Sequence, residues 1–188
     1  MKPAPFAYVA PDSLTAVLQA LAEYGDEAKL LAGGQSLIPA MNFRLARPEV
    51  LVDVNLLDDL SFIRQTAASQ LAIGALTRQF QLERNPLVTQ HDPLLHEMMP
   101  HIAHPQIRNR GTMGGSLAHA DPAAELPIYA VAREANLHIQ STAGERWVTA
   151  SDFFTGLFAT ALAPEEMVTE VLVPALPPQT GTAFLEMA

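Results

Sequence analysis

Two stretches of the chain combine few side chains with many hydrogen-bond donors, the chemistry that holds phosphate. The first is Ala32-Gly33-Gly34-Gln35-Ser36-Leu37. Two adjacent glycines reach backbone angles closed to other residues and leave room for a ligand, so successive N–H groups and the Ser36 hydroxyl could surround phosphate oxygens. The same pair could instead be only a tight turn. The second stretch, Arg108 to Ser116, packs three glycines, two hydroxyls and two guanidiniums into nine residues. Such a loop offers directional donors to a diphosphate, with Thr112, Met113, Gly114, Gly115 and Ser116 at its centre. Arg108 and Arg110 could equally pair with carboxylates and serve only stability. Downstream, Asp121 could cap a helix or accept a hydrogen bond from a sugar or ribityl hydroxyl. A ligand with two phosphates and a long body accounts for both loops, one on each wall of a cleft.

Other site chemistries fit less well. No glycine loop ends in Gly-Lys-Ser/Thr, and Gly33-Gly34 lacks the further spaced glycine of a Rossmann turn. Asp53 therefore reads as an ordinary strand-end carboxylate. His91, His96, His101 and His104 are spaced by five, five and three residues, which does not put three ligands on one helical face, and Pro100 and Pro105 interrupt the run. They read as surface or interface histidines. His119 has no paired nucleophile and orienting carboxylate.

The elements that must carry these loops follow from the hydrophobic pattern. Leu14, Val17, Leu18 and Leu21 recur at helical spacing, with Asp12 or Ser13 as cap and Gly25 as stop. Ala28–Ala32 and Leu51–Val54 read as buried strands, with a turn or helix from Leu37 to Leu45 between them, giving a small parallel βαβ lobe. Beyond residue 58 the pattern shifts to short strands at Phe62–Arg64, Leu71–Ile73, Leu137–Ile139, Arg146–Val148 and Val168–Val173. Helices are expected after Thr77 as cap, over Asp92–Ile102, and over Pro122–Ala132. The expectation is an α+β chain: a small α/β lobe over 1–58, a larger α+β lobe with a mixed or antiparallel sheet over 59–176, and a proline-rich connector over 177–188.

Composition narrows the function. With 11 basic and 20 acidic residues and a formal charge of −9, the chain has no basic groove for nucleic acid. It contains no cysteine, so it holds neither a disulfide nor a thiolate-ligated iron–sulfur cluster, and any such cluster must sit in a partner. No apolar run reaches membrane-spanning length, and the first residues lack a signal-peptide core. Cytoplasmic residence is the default expectation.

The segment from Leu31 to Asn55, then Ile73–Thr77, then His104–Pro127 closely resemble the FAD-binding medium subunit of the molybdenum hydroxylases, in order and spacing, as do Asp152-Phe153-Phe154 and the Pro164-Glu165-Glu166 region. Within that family the likeness is greatest to the aerobic carbon monoxide dehydrogenase medium chain and its relatives. The resemblance implies a two-lobed FAD-binding fold of the vanillyl-alcohol oxidase type, with FAD between the lobes. It places Ala32 to Leu37 at a first pyrophosphate loop, Thr112 to Ser116 at a second, and Asp121 beside the flavin's polar chain. It implies a subunit of a multisubunit oxidoreductase that passes electrons through FAD to an external acceptor. The molybdenum–pterin cofactor would lie in a large partner subunit and the [2Fe–2S] clusters in a small one. Similar proteins continue past the proline connector into a C-terminal domain, whereas this sequence ends there, and Glu186 stands where a basic residue is common. The chain is therefore expected to lack that domain, to bind FAD weakly by itself, and to self-associate through the uncovered interface. The alternative is a non-catalytic assembly subunit that keeps the fold without productive flavin.

Overall fold

The computed structural model describes residues 2–187. The chain opens with a strand that the hydrophobic pattern does not announce, β1 (Ala7–Val9). Ser13 then caps α1 (Leu14–Tyr24) by accepting from the Ala16 N–H, and the Gly25 N–H closes the helix onto the Leu21 carbonyl. Val17, Leu18 and Leu21 face inward. There follow β2 (Ala28–Leu31), the short α2 (Leu37–Asn42) and β3 (Val50–Asp53). The three strands form one sheet in the order β1-β3-β2, and both pairings are parallel. Parallel neighbours need crossovers, which α1 and the α2 segment supply. The resulting core also takes in Leu76 and Met167 from later in the chain.

The second sheet begins with β4 (Ile63–Gln65) and β5 (Leu71–Gly74). A helical stretch follows: α3 (Gln79–Arg84), α4 (Pro86–His91), α5 (Pro93–Met98), α6 (Pro105–Arg108), α7 (Met113–His119) and α8 (Glu125–Ala132). The chain closes with the hairpin β6 (Asn136–Ser141) and β7 (Gly144–Thr149), α9 (Ala150–Phe153), the small pair β8 (Phe154–Gly156) and β9 (Ala159–Thr160), and β10 (Met167–Val173). The sheet order is β4-β5-β10-β6-β7, antiparallel throughout. Its core includes Ile73, Leu82, Leu95, Met113 and Tyr129. Among the described residues no helix is long and apolar enough to cross a membrane.

Local details depart from expectation for identifiable reasons. Thr77 does not cap α3: its hydroxyl donates to the Phe62 carbonyl, and Arg78 takes the cap position. Asn85 both ends α3 and caps α4 through the Leu87 N–H, with Pro86 tolerated in the first turn. The expected Asp92–Ile102 helix breaks after Met98 into a 3-10 turn at Met99–His101, with Pro100 inside that turn. α8 starts at Glu125 rather than Pro122, so Pro127 falls in its first turn and does not kink it.

Candidate functional site

The first glycine loop leaves β2 and enters α2. Among the described residues, the N–H groups of Gly33, Gly34, Gln35, Ser36 and Leu37 have no protein acceptor. All but Ser36 are at least partly buried. Successive N–H groups left without protein acceptors can receive an acceptor-rich group, and Gly33 is the one fully buried member of the row. Gly34 sits at φ 73°, the left-handed region that favours glycine. Gly33, Gly34 and Gln35 line a cavity of about 330 Å³, with Ile38 on one side and Arg110 on the other.

The second loop is built differently from the expectation. Met113 donates to the Thr77 carbonyl at 3.0 Å, Gly114 to Ala75 at 2.8 Å and Ser116 to Thr112 at 3.2 Å. The Gly115 N–H goes to the Thr112 hydroxyl at 3.1 Å. Those amides start α7 and fasten it to the segment after β5, so each already has a protein acceptor. The glycines instead permit close approach. A methyl on Gly114 would lie 2.6 Å from the Ala75 Cβ, and one on Gly111 would lie 2.5 Å from the Gln79 side-chain oxygen. The donors left on this wall include the Ser116 hydroxyl and the Arg110 guanidinium.

The two loops meet. A methyl on Gly33 would lie 2.4 Å from the Arg110 carbonyl oxygen, and one on Gly115 would lie 3.8 Å from the Ala32 Cβ. Asn55 and Arg78, which the sequence reading passed over, lock this contact. The Asn55 side-chain amide donates to the Leu31 and Ala32 carbonyls at 3.2 and 3.0 Å. Arg78 donates to the Asn55 oxygen and to the Arg110 carbonyl. The signal available was Asn55 directly after a buried strand; nothing in the spacing pairs it with Arg78.

Asp53 supports the same corner. It accepts from Tyr8 at 2.6 Å and from the Asn55 N–H at 2.8 Å. Burial pushes its carboxyl up, but the Tyr8 and Asn55 hydrogen bonds and the Arg110 charge together hold it below the usual range. Burial, with Arg110 nearby, lowers the Arg78 guanidinium's proton affinity, and Asp53 opposes this. Asp53 is thus a structural carboxylate at the strand end.

Arg108 takes the structural alternative. It is buried, pairs with Glu83 at 2.9 Å and donates to the Ile102 carbonyl. Asp121 does not cap α8, whose N-cap is Ala124; it accepts from the Ala123 N–H at 2.9 Å in a local turn. It also lines a second cavity, of about 410 Å³, whose other walls include Pro122, Ile128, Val131 and Phe154. His119 packs on Phe158 at 5.3 Å between ring centroids. Among the described residues no cluster of three metal-ligating side chains occurs, and the four histidines of the 91–104 stretch do not gather.

A parallel three-stranded lobe joined to an antiparallel five-stranded one, with a glycine loop from each meeting at the seam, defines an α+β FAD-binding fold of the p-cresol methylhydroxylase-like class. The chain belongs to the family described as FAD binding domain in molybdopterin dehydrogenase, which matches residues 4–176. It is 48% identical to the 6-hydroxypseudooxynicotine dehydrogenase complex subunit alpha of Paenarthrobacter nicotinovorans, over all of this chain and 63% of that one. It is 42% identical to the carbon monoxide dehydrogenase medium chain of Hydrogenophaga pseudoflava, over 98% of this chain and 64% of that one. The solved carbon monoxide dehydrogenase of Hydrogenophaga pseudoflava superposes with a TM-score of 0.96 at 41% identity, covering all of this chain and 65% of that chain. Quinoline 2-oxidoreductase of Pseudomonas putida 86 gives 0.89 at 43% identity, covering 93% and 60%. The chain thus spans somewhat under two thirds of the length of these relatives.

Proposed function

We propose that this chain holds FAD for a molybdenum-containing hydroxylase or dehydrogenase and serves as its flavin relay. In that assembly a large molybdenum–pterin subunit takes electrons from substrate and a small subunit carries them over [2Fe–2S] clusters. FAD held here would supply the redox chemistry that passes those electrons to an external acceptor. The names of the similar proteins, a medium chain and a complex subunit, support a multisubunit setting.

The observation that carries this reading is the row of five N–H groups from Gly33 to Leu37 without protein acceptors, the first three on residues that line a cavity shared with Arg110. FAD fits it chemically: a diphosphate supplies acceptors for the loop, and Arg110 lines the same cavity. Asp121, on the lining of an apolar cavity, would accept from a ribityl hydroxyl of the bound cofactor. The protein's contribution is position and electrostatics: Ala32, Gly33, Gly34, Gln35, Ser36 and Leu37 bind, while Thr112, Met113, Gly114 and Gly115 brace them.

The test is retention of flavin. Purified chain mixed with FAD and passed over a desalting column should elute with flavin absorbance, and its melting temperature should rise with FAD concentration as mass action requires. A folded chain that elutes without flavin and melts unchanged at saturating FAD would sink the reading.

A further inference from the structure

We propose that Arg110 is the cationic arm of this site, presenting its guanidinium to the diphosphate of a dinucleotide seated on the amides of Gly33 to Leu37. The inference rests on the FAD reading and adds the residue that supplies charge.

Three observations carry it. First, Arg110 lines the same cavity as Gly33, Gly34 and Gln35. Second, its backbone is held rather than loose: its carbonyl lies against Gly33 and accepts from Arg78, which is itself tied to Asn55. The start of the side chain is therefore fixed relative to the amide row. Third, the guanidinium makes no ion pair or hydrogen bond among the described residues. Arg64, Arg108, Arg133 and Arg146 are instead matched to Glu170, Glu83, Asp92 and Glu166. The acid whose charge Arg110 influences, Asp53, already accepts from Tyr8 and Asn55. A cation on the same cavity as the unpaired donors of Gly33, Gly34 and Gln35, in a chain of net charge −9, makes a local positive spot suited to a diphosphate.

Because the guanidinium makes no hydrogen bond or ion pair among the described residues and Asp53 keeps its bonds to Tyr8 and Asn55, its removal should leave the apo chain folded. The experiment compares the wild-type chain with Arg110→Gln, Arg110→Lys and, as a control for overall charge, Arg84→Gln. FAD affinity is read by flavin fluorescence at several salt concentrations, and apo stability by thermal melting. Arg110→Gln should bind FAD about ten- to a hundredfold more weakly, the range of one charge-assisted contact. It should also show a flatter salt dependence and an unchanged apo melting temperature; Arg110→Lys should recover part of the loss, and Arg84→Gln should match wild type. FAD affinity of Arg110→Gln equal to that of Arg84→Gln, with wild type binding normally, would overturn the proposal alone. Wild type that binds no FAD would overturn it together with the reading beneath it.

Discussion

The carbonyl oxygen of Arg110 occupies the space beside Gly33 where any other residue would carry its Cβ, with only 2.4 Å between that oxygen and the position of the missing atom. A backbone atom sits there, not the tip of a flexible side chain, so the two loops can touch only while residue 33 is glycine. The contact joins a turn of the parallel lobe to a turn of the antiparallel lobe beside the cavity that Gly33 and Arg110 both line.

Gly33→Ala should therefore destabilise the chain by about 1–3 kcal/mol, the usual cost of overpacking, and should abolish FAD retention. Gly34→Ala carries the other penalty: its φ of 73° costs an L-residue about 1–2 kcal/mol, but the nearest atoms are the movable side chains of Ile38 and Leu31 at 3.1 Å. Denaturant melts and FAD titration of both variants should show Gly33→Ala losing cofactor more completely. The reverse order would mean that contact between the loops does not define the site.

Asn55 and Arg78 should behave as one unit. Removing either frees the Leu31, Ala32 or Arg110 carbonyls from their partners. Asn55→Ala and Arg78→Ala should each cost about 1–3 kcal/mol, and the double variant should cost measurably less than their sum, with a coupling of about 0.5–3 kcal/mol. Strictly additive losses in urea unfolding would show that the bond between them does not join the loops.

Away from the site, Asp92 is buried and accepts from Arg133 at 3.0 Å, from Tyr129 at 2.7 Å and from the Leu95 N–H at 2.9 Å. Burial, followed by the Asp92 charge and hydrogen bond, pushes the Tyr129 hydroxyl well above its ordinary value. Asp92→Ala leaves the Arg133 guanidinium buried without its carboxylate and should cost about 3–5 kcal/mol. Thermal melts should show Asp92→Asn falling between wild type and the alanine variant.

Hydrogen bonds from Arg146 hold the Glu166 carboxyl below its ordinary value of 4.5, against an opposing push from burial. A lowered folded pKa means that this pair's stabilisation is fully present above pH 4.5 and is lost as pH falls through the lower folded value. The pair is partly exposed, so its worth is at most about 1 kcal/mol. Wild type should exceed Glu166→Gln in stability from neutral pH down to about 5 and converge with it in stronger acid. A gap in urea midpoint that stays constant through the acid range would contradict the assignment.

Much of this was legible because it is local. The spacing of Leu14 to Leu21 with Ser13 and Gly25 marks α1, apolar runs mark β2 and β3, and short strands mark the second lobe, although only the pairing settled its sheet, expected mixed or antiparallel, as antiparallel. The strand β1 escaped because three mostly exposed residues carry no periodic signal; it exists because β3 offers an edge for parallel pairing. Thr77 was mistaken for a cap because a hydroxyl before a helix resembles one whether it bonds forward to the helix or sideways to Phe62.

Sequence alone singled out two glycine-rich stretches as candidates for phosphate, since glycines and hydroxyls state their chemistry in one dimension, and it marked the family, through two long motifs in the right order. Only tertiary structure decided how they divide the work. The amides of Met113 to Ser116 are taken by Thr77, Ala75 and Thr112, while those of Gly33 to Leu37 remain without protein acceptors. The fate of a backbone donor depends on what the rest of the chain brings beside it. The same dependence made Arg108 a buried structural cation and left Arg110, two residues on, at the cleft.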